Sequence, residues 1–372
     1  MVTKRKTTGK KSKTKRKRSP AKKFLPRLVA WETTLRCNLR CVHCRAGADK
    51  PGKEVKELSH AQGKTLLRNI ASLNKCIVIL TGGEPLLRED IFELASYGNK
   101  LGLRMALATN GTLLDERTAV EIKSSGIVRV SLSLDGFSSA VHNDFRGQEG
   151  SFDAAIKAAH VLREADIPFQ VNSSFTRRNI DDMERLHDLV QALGAVAWHV
   201  FMVVPTGRAA DLAGELLDKK EYEQTLVHLY RLSRRSPLEI KPTCAPQYYR
   251  VLRQMARREG VPVDVEHFGI NATTRGCLAG QYFAFVSAEG NVLPCGYFPK
   301  QAGSLRRNTF SKIWRSSKLF MQLRNPDLLK GRCGDCEYNV VCGGCRARAY
   351  AASGDFLSEE IYCSYMPDSG AI

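Results

Sequence analysis

Short runs of β-branched and other apolar residues alternate with amphipathic stretches from residue 28 to residue 204, and this alternation constrains the fold most strongly. The predicted strands are 28–32, 76–81, 104–109, 127–134, 168–175 and 195–204. The predicted helices between them are about 59–73, 88–100, 115–125, 152–164 and 180–193. This order is typical of βα units that build a parallel sheet. Since such crossovers are right-handed, six units predict an α/β fold, a partial (β/α)6 TIM-like barrel with its chemistry at the carboxyl ends of the strands.

The pattern changes after this barrel, which we assign to residues 27–215. The later predicted elements are helices at about 219–233, 246–257 and 309–322 and a hairpin of 282–287 with 292–293. We therefore expect a helical bridge over 216–270. The remaining part, 271–372, is rich in cysteine and is predicted to form a C-terminal extension.

The N-terminus carries most of the positive charge. The whole chain has a formal net charge of +19, and residues 1–23 hold twelve Lys or Arg and no acidic residue. Such a segment buries too little apolar surface to offset its ordering entropy, so we predict a disordered basic tail over 1–26. The tail is expected to contact polyanions nonspecifically, in a salt-dependent way. We favour a solubilising extension over a specific nucleic-acid reader, because no stacking residues are interleaved with the charges.

The apolar runs are short. The longest, such as 195–204, have about ten residues, whereas a membrane-spanning helix needs about 20. No apolar stretch follows the basic N-terminus, so a secretory signal is not predicted. We expect the protein to have no membrane span and to be cytoplasmic.

Twelve cysteines occur in the chain, and ten of them form two groups. The first group is Cys37, Cys41 and Cys44, and the second is Cys277, Cys295, Cys333, Cys336, Cys342, Cys345 and Cys363. Cytoplasmic thiols are kept reduced, so structural disulfides are not expected. Grouped reduced cysteines indicate bound metal instead.

The first group has the spacing CxxxCxxC and directly follows the first predicted strand. Its three thiolates can hold three irons of a 4Fe-4S cluster and leave the fourth iron open for chemistry. A zinc site would need a fourth ligand, and His43 is the nearest candidate. Because His43 is adjacent to Cys44 and neighbours rarely bind the same ion, iron is favoured.

Motifs of glycine and polar residues lie at the ends of the next three predicted strands. They are Gly82-Gly83-Glu84-Pro85, Thr109-Asn110-Gly111, and Ser131, Ser133, Asp135 and Gly136, followed by an HxDxxRG-like stretch at 142–147. Together with CxxxCxxC they resemble the radical S-adenosylmethionine (SAM) superfamily. The resemblance implies that Cys37, Cys41 and Cys44 bind the catalytic cluster and that the 82–85 backbone binds the amino group of SAM. It also implies polar contacts to SAM from Asn110, Ser133 and Asp135. His43 is unusual, since most members have an aromatic residue there.

The second cysteine group resembles the SPASM extension, which carries auxiliary 4Fe-4S clusters in radical SAM enzymes. The resemblance implies one cluster on Cys333, Cys336, Cys342 and Cys363 and another on Cys277, Cys295 and Cys345. The second set lacks an obvious fourth ligand, for which Cys244 is a candidate, although an inert thiol is equally expected there. Cys76 lies in an apolar strand and is expected to be buried. The alternative for this region is a zinc ribbon.

Longer phrases narrow the resemblance to the haem-biosynthesis branch of the superfamily. They are Trp-Glu-Thr-Thr at 31–34, Arg-Cys-Asn-Leu-Arg-Cys-Val-His-Cys-Arg-Ala at 36–46, Val-Pro-Thr-Gly-Arg at 204–208 and Cys-Gly-Gly-Cys-Arg-Ala-Arg-Ala-Tyr at 342–350. The branch implies a tetrapyrrole substrate, with oxidative decarboxylation of two propionates of iron-coproporphyrin III to the vinyl groups of haem b. It also implies a low-potential electron donor such as a ferredoxin or flavodoxin.

The carboxylates of such a substrate need cations, and Arg146, Arg177 and Arg208 lie near predicted strand ends. Ordinary ion pairs are an equally strong explanation for these three residues. His199 is expected to be a core histidine rather than a ligand of the substrate iron. Competing functions are modification of haem d1 precursors, acetate removal from another tetrapyrrole, peptide modification by a SPASM maturase, and nucleic-acid binding through the tail.

Overall fold

The computed structural model describes residues 24–48 and 55–367. The predicted disordered tail falls almost entirely on residues 1–23, outside the described residues. The strands are β1 Leu28–Glu32, β2 Ile77–Thr81, β3 Arg104–Thr109, β4 Ile127–Ser133, β5 Phe169–Phe175, β6 Ala197–Met202, β7 Glu239–Thr243, β8 Phe283–Val286, β9 Asn291–Leu293 and β10 Gly303–Ser304. The six predicted strands correspond to β1 to β6, so this prediction is confirmed.

Fourteen α-helices connect these strands in the described residues. They are α1 His60–Leu73, α2 Ile91–Lys100, α3 Glu116–Ser124, α4 Ser139–Arg146, α5 Ser151–Glu164, α6 Met183–Ala192, α7 Lys219–Arg235, α8 Tyr248–Glu259, α9 Val265–Phe268, α10 Ile270–Thr273, α11 Phe310–Ser316, α12 Lys318–Leu323, α13 Gly331–Asp335 and α14 Arg346–Ser353. Each long helix of the barrel region follows a strand, as the βα pattern predicts.

All ten strands belong to one sheet with the order β10-β9-β8-β1-β2-β3-β4-β5-β6-β7. Strands β1 to β7 run parallel to their neighbours, with registers such as Val29 opposite Val78. β8 pairs in parallel with the free side of β1, and β9 and β10 follow antiparallel. The sheet is therefore a partial barrel that does not close, and its strand ends share one edge.

The helix α1 illustrates how the outer layer forms. Ser59 caps its first turn in a reciprocal capping box with Gln62, which satisfies two otherwise unpaired backbone donors. A stripe at three and four spacing, Leu66, Leu67, Ile70 and Leu73, is buried against the sheet. Full burial of one such leucine contributes roughly 1.5 to 3 kcal/mol.

The sequence analysis missed one strand in the predicted bridge. β7 lies within 216–270 and pairs with β6, so this segment extends the sheet besides contributing α7 and α8. Lys241 and Pro242 interrupt its apolar run, which removes the usual strand pattern. The predicted helix at 309–322 is divided into α11 and α12 at Ser317. The predicted boundaries at 27–215, 216–270 and 271–372 stay predictions.

Among residues 24–48 and 55–367, no helix combines the length and the apolar character that crossing a bilayer requires. The expected cytoplasmic location stays a prediction.

Candidate functional site

The loop with the CxxxCxxC spacing follows β1 and is held on both sides by backbone hydrogen bonds. On one side, the Gly83 N–H donates to Thr34 O and the Glu84 N–H donates to Arg36 O, both at 2.8 Å. On the other side, the Arg208 N–H donates to Cys44 O at 3.0 Å. The motifs at 82–85 and 204–208 therefore support the cysteine loop directly.

Two glycines allow this close approach. A Cβ on Gly83 would lie 2.2 Å from Arg36 O, and a Cβ on Gly207 would lie 2.5 Å from Cys44 O. Gly207 also has a φ of +61°, which residues other than glycine rarely adopt. The predicted contact of SAM with the 82–85 backbone would also need glycines for close approach of the ligand, and the structure adds contact with the chain's own cysteine loop.

The three thiols of the loop are free of disulfides and interact electrostatically with one another. Burial raises the pKa of Cys37 to about 11. Burial also raises the pKa of Cys41, against the opposing effect of Arg146, whose Nη1 lies 3.7 Å from Cys41 Sγ. Metal binding requires the thiolate, so loading with iron releases protons here.

Asp135 lies at the centre of a buried network next to this loop. Its Oδ2 is 2.7 Å from Arg146 Nη2 and 3.4 Å from His43 Nε2, and its Oδ1 accepts from the Ser174 N–H at 2.7 Å. Burial opposes ionisation of Asp135, but the Arg146 cation prevails and lowers the pKa of this carboxyl. Burial lowers the pKa of His43 to about 4, so the imidazole is neutral near pH 7. The unusual His43 thus has a protein partner.

Glu84 joins the motif after β2 to the motif after β3. Its carboxylate accepts from Thr109 Oγ1 at 2.8 Å, the Asn110 N–H at 2.8 Å and the Leu86 N–H at 3.1 Å. Asn110 Nδ2 in turn donates to Asn38 Oδ1 in the cysteine loop at 2.9 Å. Complete burial raises the pKa of Glu84 to about 7 despite these hydrogen bonds. The side chain therefore couples two strand ends to the loop.

The residues predicted to bind SAM gather at the carboxyl ends of neighbouring parallel strands. They are Gly82, Gly83, Glu84, Pro85, Asn110, Ser133 and Asp135. Glu84 and Asp135 use their carboxylate oxygens on protein partners. Ser133 is half-buried at the end of β4. Individual contacts to SAM stay predictions.

The structure does not bring together the three arginines that were predicted for the substrate. Arg146 is buried against Asp135 and Cys41. Arg208 donates to the carbonyls of Cys41 and Ala48, both at 2.8 Å, and thereby holds the cysteine loop. Their substrate role stays a prediction, although both have extensive protein contacts.

The third of these arginines lies elsewhere. Arg177 is 43% exposed and forms an ion pair with Glu221 at 2.6 Å. A pair of this exposure contributes little to stability, because solvent screens the two charges. The geometry thus favours the ion-pair explanation for Arg177.

Four cysteines of the C-terminal region line one open pocket. They are Cys333, Cys336, Cys342 and Cys363. Donors lie close to two of these sulfurs: the Glu360 N–H is 3.3 Å from Cys333 Sγ and the Gly344 N–H is 3.4 Å from Cys342 Sγ. Hydrogen bonds to sulfur help set the reduction potential of a cluster. These four residues therefore lie around one pocket, and their binding of a shared cluster stays a prediction.

The remaining cysteines, Cys277, Cys295 and Cys345, form a second group with Cys244. Cys244 interacts electrostatically with Cys277 and Cys345, and Cys295 interacts with all three. Tyr297, two residues after Cys295, hydrogen-bonds to the Cys244 thiol. The Cys244 carbonyl accepts a hydrogen bond of 2.8 Å from Nη1 of Arg348. Arg348 lies one helical turn after Cys345.

The backbone of Cys244 adopts an uncommon conformation. Its φ is +56°, in the left-handed region that few residues other than glycine occupy. Such conformations persist where the surroundings hold them and often occur at functional sites. The sequence analysis left Cys244 open because a lone cysteine could equally be an inert thiol. It lies 33 positions before Cys277, and only the folded chain brings the two together.

Within residues 24–48 and 55–367, no three His, Cys, Asp or Glu side chains are placed to coordinate one metal ion. A single zinc ion with Zn–S bonds of 2.3 Å would bring its sulfurs to about 3.8 Å from one another. The cysteine sulfurs that bind a 4Fe-4S cluster lie farther apart than those around one zinc ion, since each cysteine binds a different iron. The two tetrads and the loop triad are suited to clusters by their thiol-only donor sets.

The fold and the cysteine loop define a class of enzyme. Residues 31–190 match the Radical SAM superfamily, and residues 277–345 match SPASM, an iron-sulfur cluster-binding domain. The fold is also similar to that of Streptococcus suis SuiB bound to S-adenosylmethionine, with a TM-score of 0.72, 17% identity, and coverage of 92% of this chain and 78% of that one. This protein is a radical SAM enzyme whose cofactors are SAM and 4Fe-4S clusters.

Relatives over nearly the full length identify the branch. The chain is 47% identical to an AdoMet-dependent heme synthase of Methanosarcina barkeri, across 92% of this chain and 97% of that protein; AdoMet is another abbreviation for SAM. It is 31% identical to an Fe-coproporphyrin III synthase of the same organism, across 90% of this chain and 87% of that one. The chain belongs to the SPASM-containing radical SAM family that these haem-branch synthases represent.

Proposed function

We propose that this enzyme performs the oxidative decarboxylation of two propionate side chains of iron-coproporphyrin III and thereby forms haem b. The observation that carries the proposal is the similarity, over nearly the whole of both chains, to a relative named as a heme synthase. The identity to the Fe-coproporphyrin III synthase is lower, 31% against 47% for the heme synthase. This difference favours decarboxylation of iron-coproporphyrin III over its formation.

The reaction has a simple balance. Each propionate loses one hydrogen atom, then carbon dioxide and one electron, and becomes a vinyl group. When bound, the loop cluster and SAM would supply the 5′-deoxyadenosyl radical for removal of the hydrogen atom, and an auxiliary cluster would be available to accept the surplus electron. The electron needed to start each cycle comes from a low-potential donor such as a ferredoxin or flavodoxin.

The chain's own residues prepare the site for this chemistry. Cys37, Cys41 and Cys44 hold the loop cluster through three irons and leave one open to SAM. Arg146 places a buried positive charge beside Cys41, which stabilises the thiolate over the thiol. Arg208 holds the loop carbonyls, and this fixes the loop relative to the strand ends.

The auxiliary clusters are assigned to the two tetrads. Cys333, Cys336, Cys342 and Cys363 hold one cluster, and Cys277, Cys295 and Cys345 hold the other with Cys244 as the fourth ligand. Iron analysis tests this assignment, with about twelve irons per chain expected. Cys244→Ser is expected to alter the electron paramagnetic resonance spectrum of one auxiliary cluster, whereas the matched variant Cys76→Ser, at the buried cysteine beside β2, leaves all three spectra unchanged.

The decisive experiment uses anaerobically reconstituted protein, SAM, a strong reductant and iron-coproporphyrin III. Mass spectrometry is expected to detect haem b and the monovinyl intermediate, together with 5′-deoxyadenosine. Conversion of another tetrapyrrole while iron-coproporphyrin III stays intact would overturn the proposed substrate. Conversion of neither, with SAM cleavage intact, would favour a peptide substrate.

A further inference from the structure

A row of polar side chains crosses three neighbouring strands of the barrel. Asn172 on β5 lies in register with His199 on β6, and His199 lies in register with Lys241 on β7. On the other side, Asn172 lies in register with Ser133 on β4. Adjacent strands are about 4.8 Å apart, so these side chains are immediate neighbours.

The row lies on the inner face of the barrel. Successive strand residues face opposite sides of a sheet. The alternate residues Val171, Trp198 and Ile240 are buried in the core beneath the helices, whereas the three residues of the row are only half-buried. Their side chains therefore face the interior of the open barrel, beside the strand end that is predicted to contact SAM.

Gln170, two residues before Asn172 on β5, contacts both side-chain acceptors of the row. Gln170 Nε2 donates to Asn172 Oδ1 at 2.9 Å and lies 3.0 Å from His199 Nδ1. With Nδ1 as acceptor, the neutral imidazole carries its proton on Nε2. The remaining groups of the row are the Asn172 amide N–H bonds, the His199 Nε2–H and the Lys241 ammonium. Every one of them is a hydrogen-bond donor.

The Lys241 carbonyl accepts from Thr243 Oγ1, but the Lys241 side-chain ammonium has no hydrogen bond and no ion pair with any residue of the described ranges. Burial lowers its pKa, although Glu239 two positions earlier opposes this effect. The neighbouring cations of Lys241 and Arg129 add to burial in lowering the pKa of His199 to about 3. A half-buried ammonium without a counter-ion is unfavourable in the free protein and is suited to an anionic ligand.

We propose that Asn172, His199 and Lys241 form a carboxylate-binding site for one propionate of the tetrapyrrole substrate. This inference rests on the proposed function. Its donors lie next to Ser133, so a bound propionate would be near the SAM-binding strand ends. In this role His199 donates through Nε2–H and does not bind the substrate iron.

Binding of porphyrins, followed by the Soret band of the cluster-loaded protein, tests the site. The probes are iron-coproporphyrin III, metal-free coproporphyrin III and the tetramethyl ester of each. Lys241→Gln removes the charge, and the exposed Lys312→Gln on α11 is the matched control. Loss of one charge-assisted hydrogen bond is expected to raise the Kd of both free acids roughly 10- to 100-fold, whereas the control leaves the Kd unchanged.

Stability separates a binding role from a structural one. Because the Lys241 ammonium has no partner within residues 24–48 and 55–367, Lys241→Gln is expected to unfold at the same or a higher temperature without porphyrin. Lower thermal stability would show a structural role and overturn the inference. His199→Phe, which removes the Nε2–H donor, is expected to weaken binding of both acids as well.

The outcomes distinguish this inference from the proposed function. If the wild-type protein binds neither free acid, the proposed function fails. If it binds iron-coproporphyrin III and Lys241→Gln binds it equally well, or if the esters bind as tightly as the acids, only the carboxylate site fails. If His199→Phe weakens binding of the iron porphyrin alone, His199 binds the metal and its assignment here is wrong.

Discussion

Replacing Gly83 by alanine tests whether the glycine pair supports the cysteine loop. The new Cβ would lie 2.2 Å from Arg36 O and 2.7 Å from Arg36 C. Both are backbone atoms, so no flexible side chain can move aside. Ordinary contact begins near 3.5 Å, and the loop must therefore shift by about 1 Å.

Two responses are open to the protein. If the loop stays in place, overpacking costs roughly 1 to 3 kcal/mol, and weakening of the hydrogen bond from the Glu84 N–H to Arg36 O adds about 1 kcal/mol. If the loop moves, Cys37 moves with it, and cluster ligands tolerate only about 0.2 Å. Either the stability falls by roughly 2 to 4 kcal/mol or the loop cluster is lost.

The assay combines thermal unfolding, iron content and 5′-deoxyadenosine formation on anaerobically prepared protein. The matched control is Gly214→Ala, since a Cβ there meets nothing within 4 Å. We expect Gly83→Ala to lose stability or about four irons and to lose SAM cleavage, while Gly214→Ala resembles the wild type. A Gly83→Ala protein with full iron, wild-type stability and only a raised KM for SAM would refute the reasoning and support ligand approach alone.

Further predictions concern the clusters and two buried carboxylates. Cys41→Ala is expected to abolish 5′-deoxyadenosine formation and retain the auxiliary clusters; continued reductive cleavage of SAM would contradict the loop assignment. Cys336→Ala, once circular dichroism and porphyrin binding show intact folding, is expected to cleave SAM but to complete no decarboxylation, and full conversion by this variant would exclude its cluster as the obligatory electron acceptor. Because the pKa of Glu84 is raised to about 7, protonated Glu84 stabilises the fold at low pH, and this stabilisation is lost as the pH rises through about 7. In urea unfolding at a series of pH values, Glu84→Gln is expected to reduce the change in unfolding free energy with pH by about 3 kcal/mol. Arg348→Met leaves Glu360, 3.1 Å away in the wild type, buried without its cation and is expected to cost roughly 3 to 5 kcal/mol; a stability loss below about 1 kcal/mol would contradict a stabilising role for this buried ion pair.

Local patterns determined a large part of this protein. The periods of two and of about 3.6 residues predicted β1 to β6 and five of the six α-helices between them, because each pattern reflects burial of one face of a short segment; α4 was not predicted. Motifs such as CxxxCxxC and the glycine pair could be placed at strand ends for the same reason. The resemblance of the C-terminal cysteines to the SPASM extension implied a set of four, Cys333, Cys336, Cys342 and Cys363, and these four line one pocket.

Contacts between distant parts of the chain were decided only by the tertiary structure. β8 pairs with β1 although about 250 residues separate them in the sequence, and the sequence of neither strand indicates which strand it pairs with. Cys244 reaches the other thiols through a left-handed backbone conformation and a hydrogen bond from Arg348. Lys241 lies beside His199 because an unpredicted strand completes the sheet. Strand pairing, loop packing and the partners of buried charges depend on all the segments at once, and for this reason no single segment of the sequence specifies them.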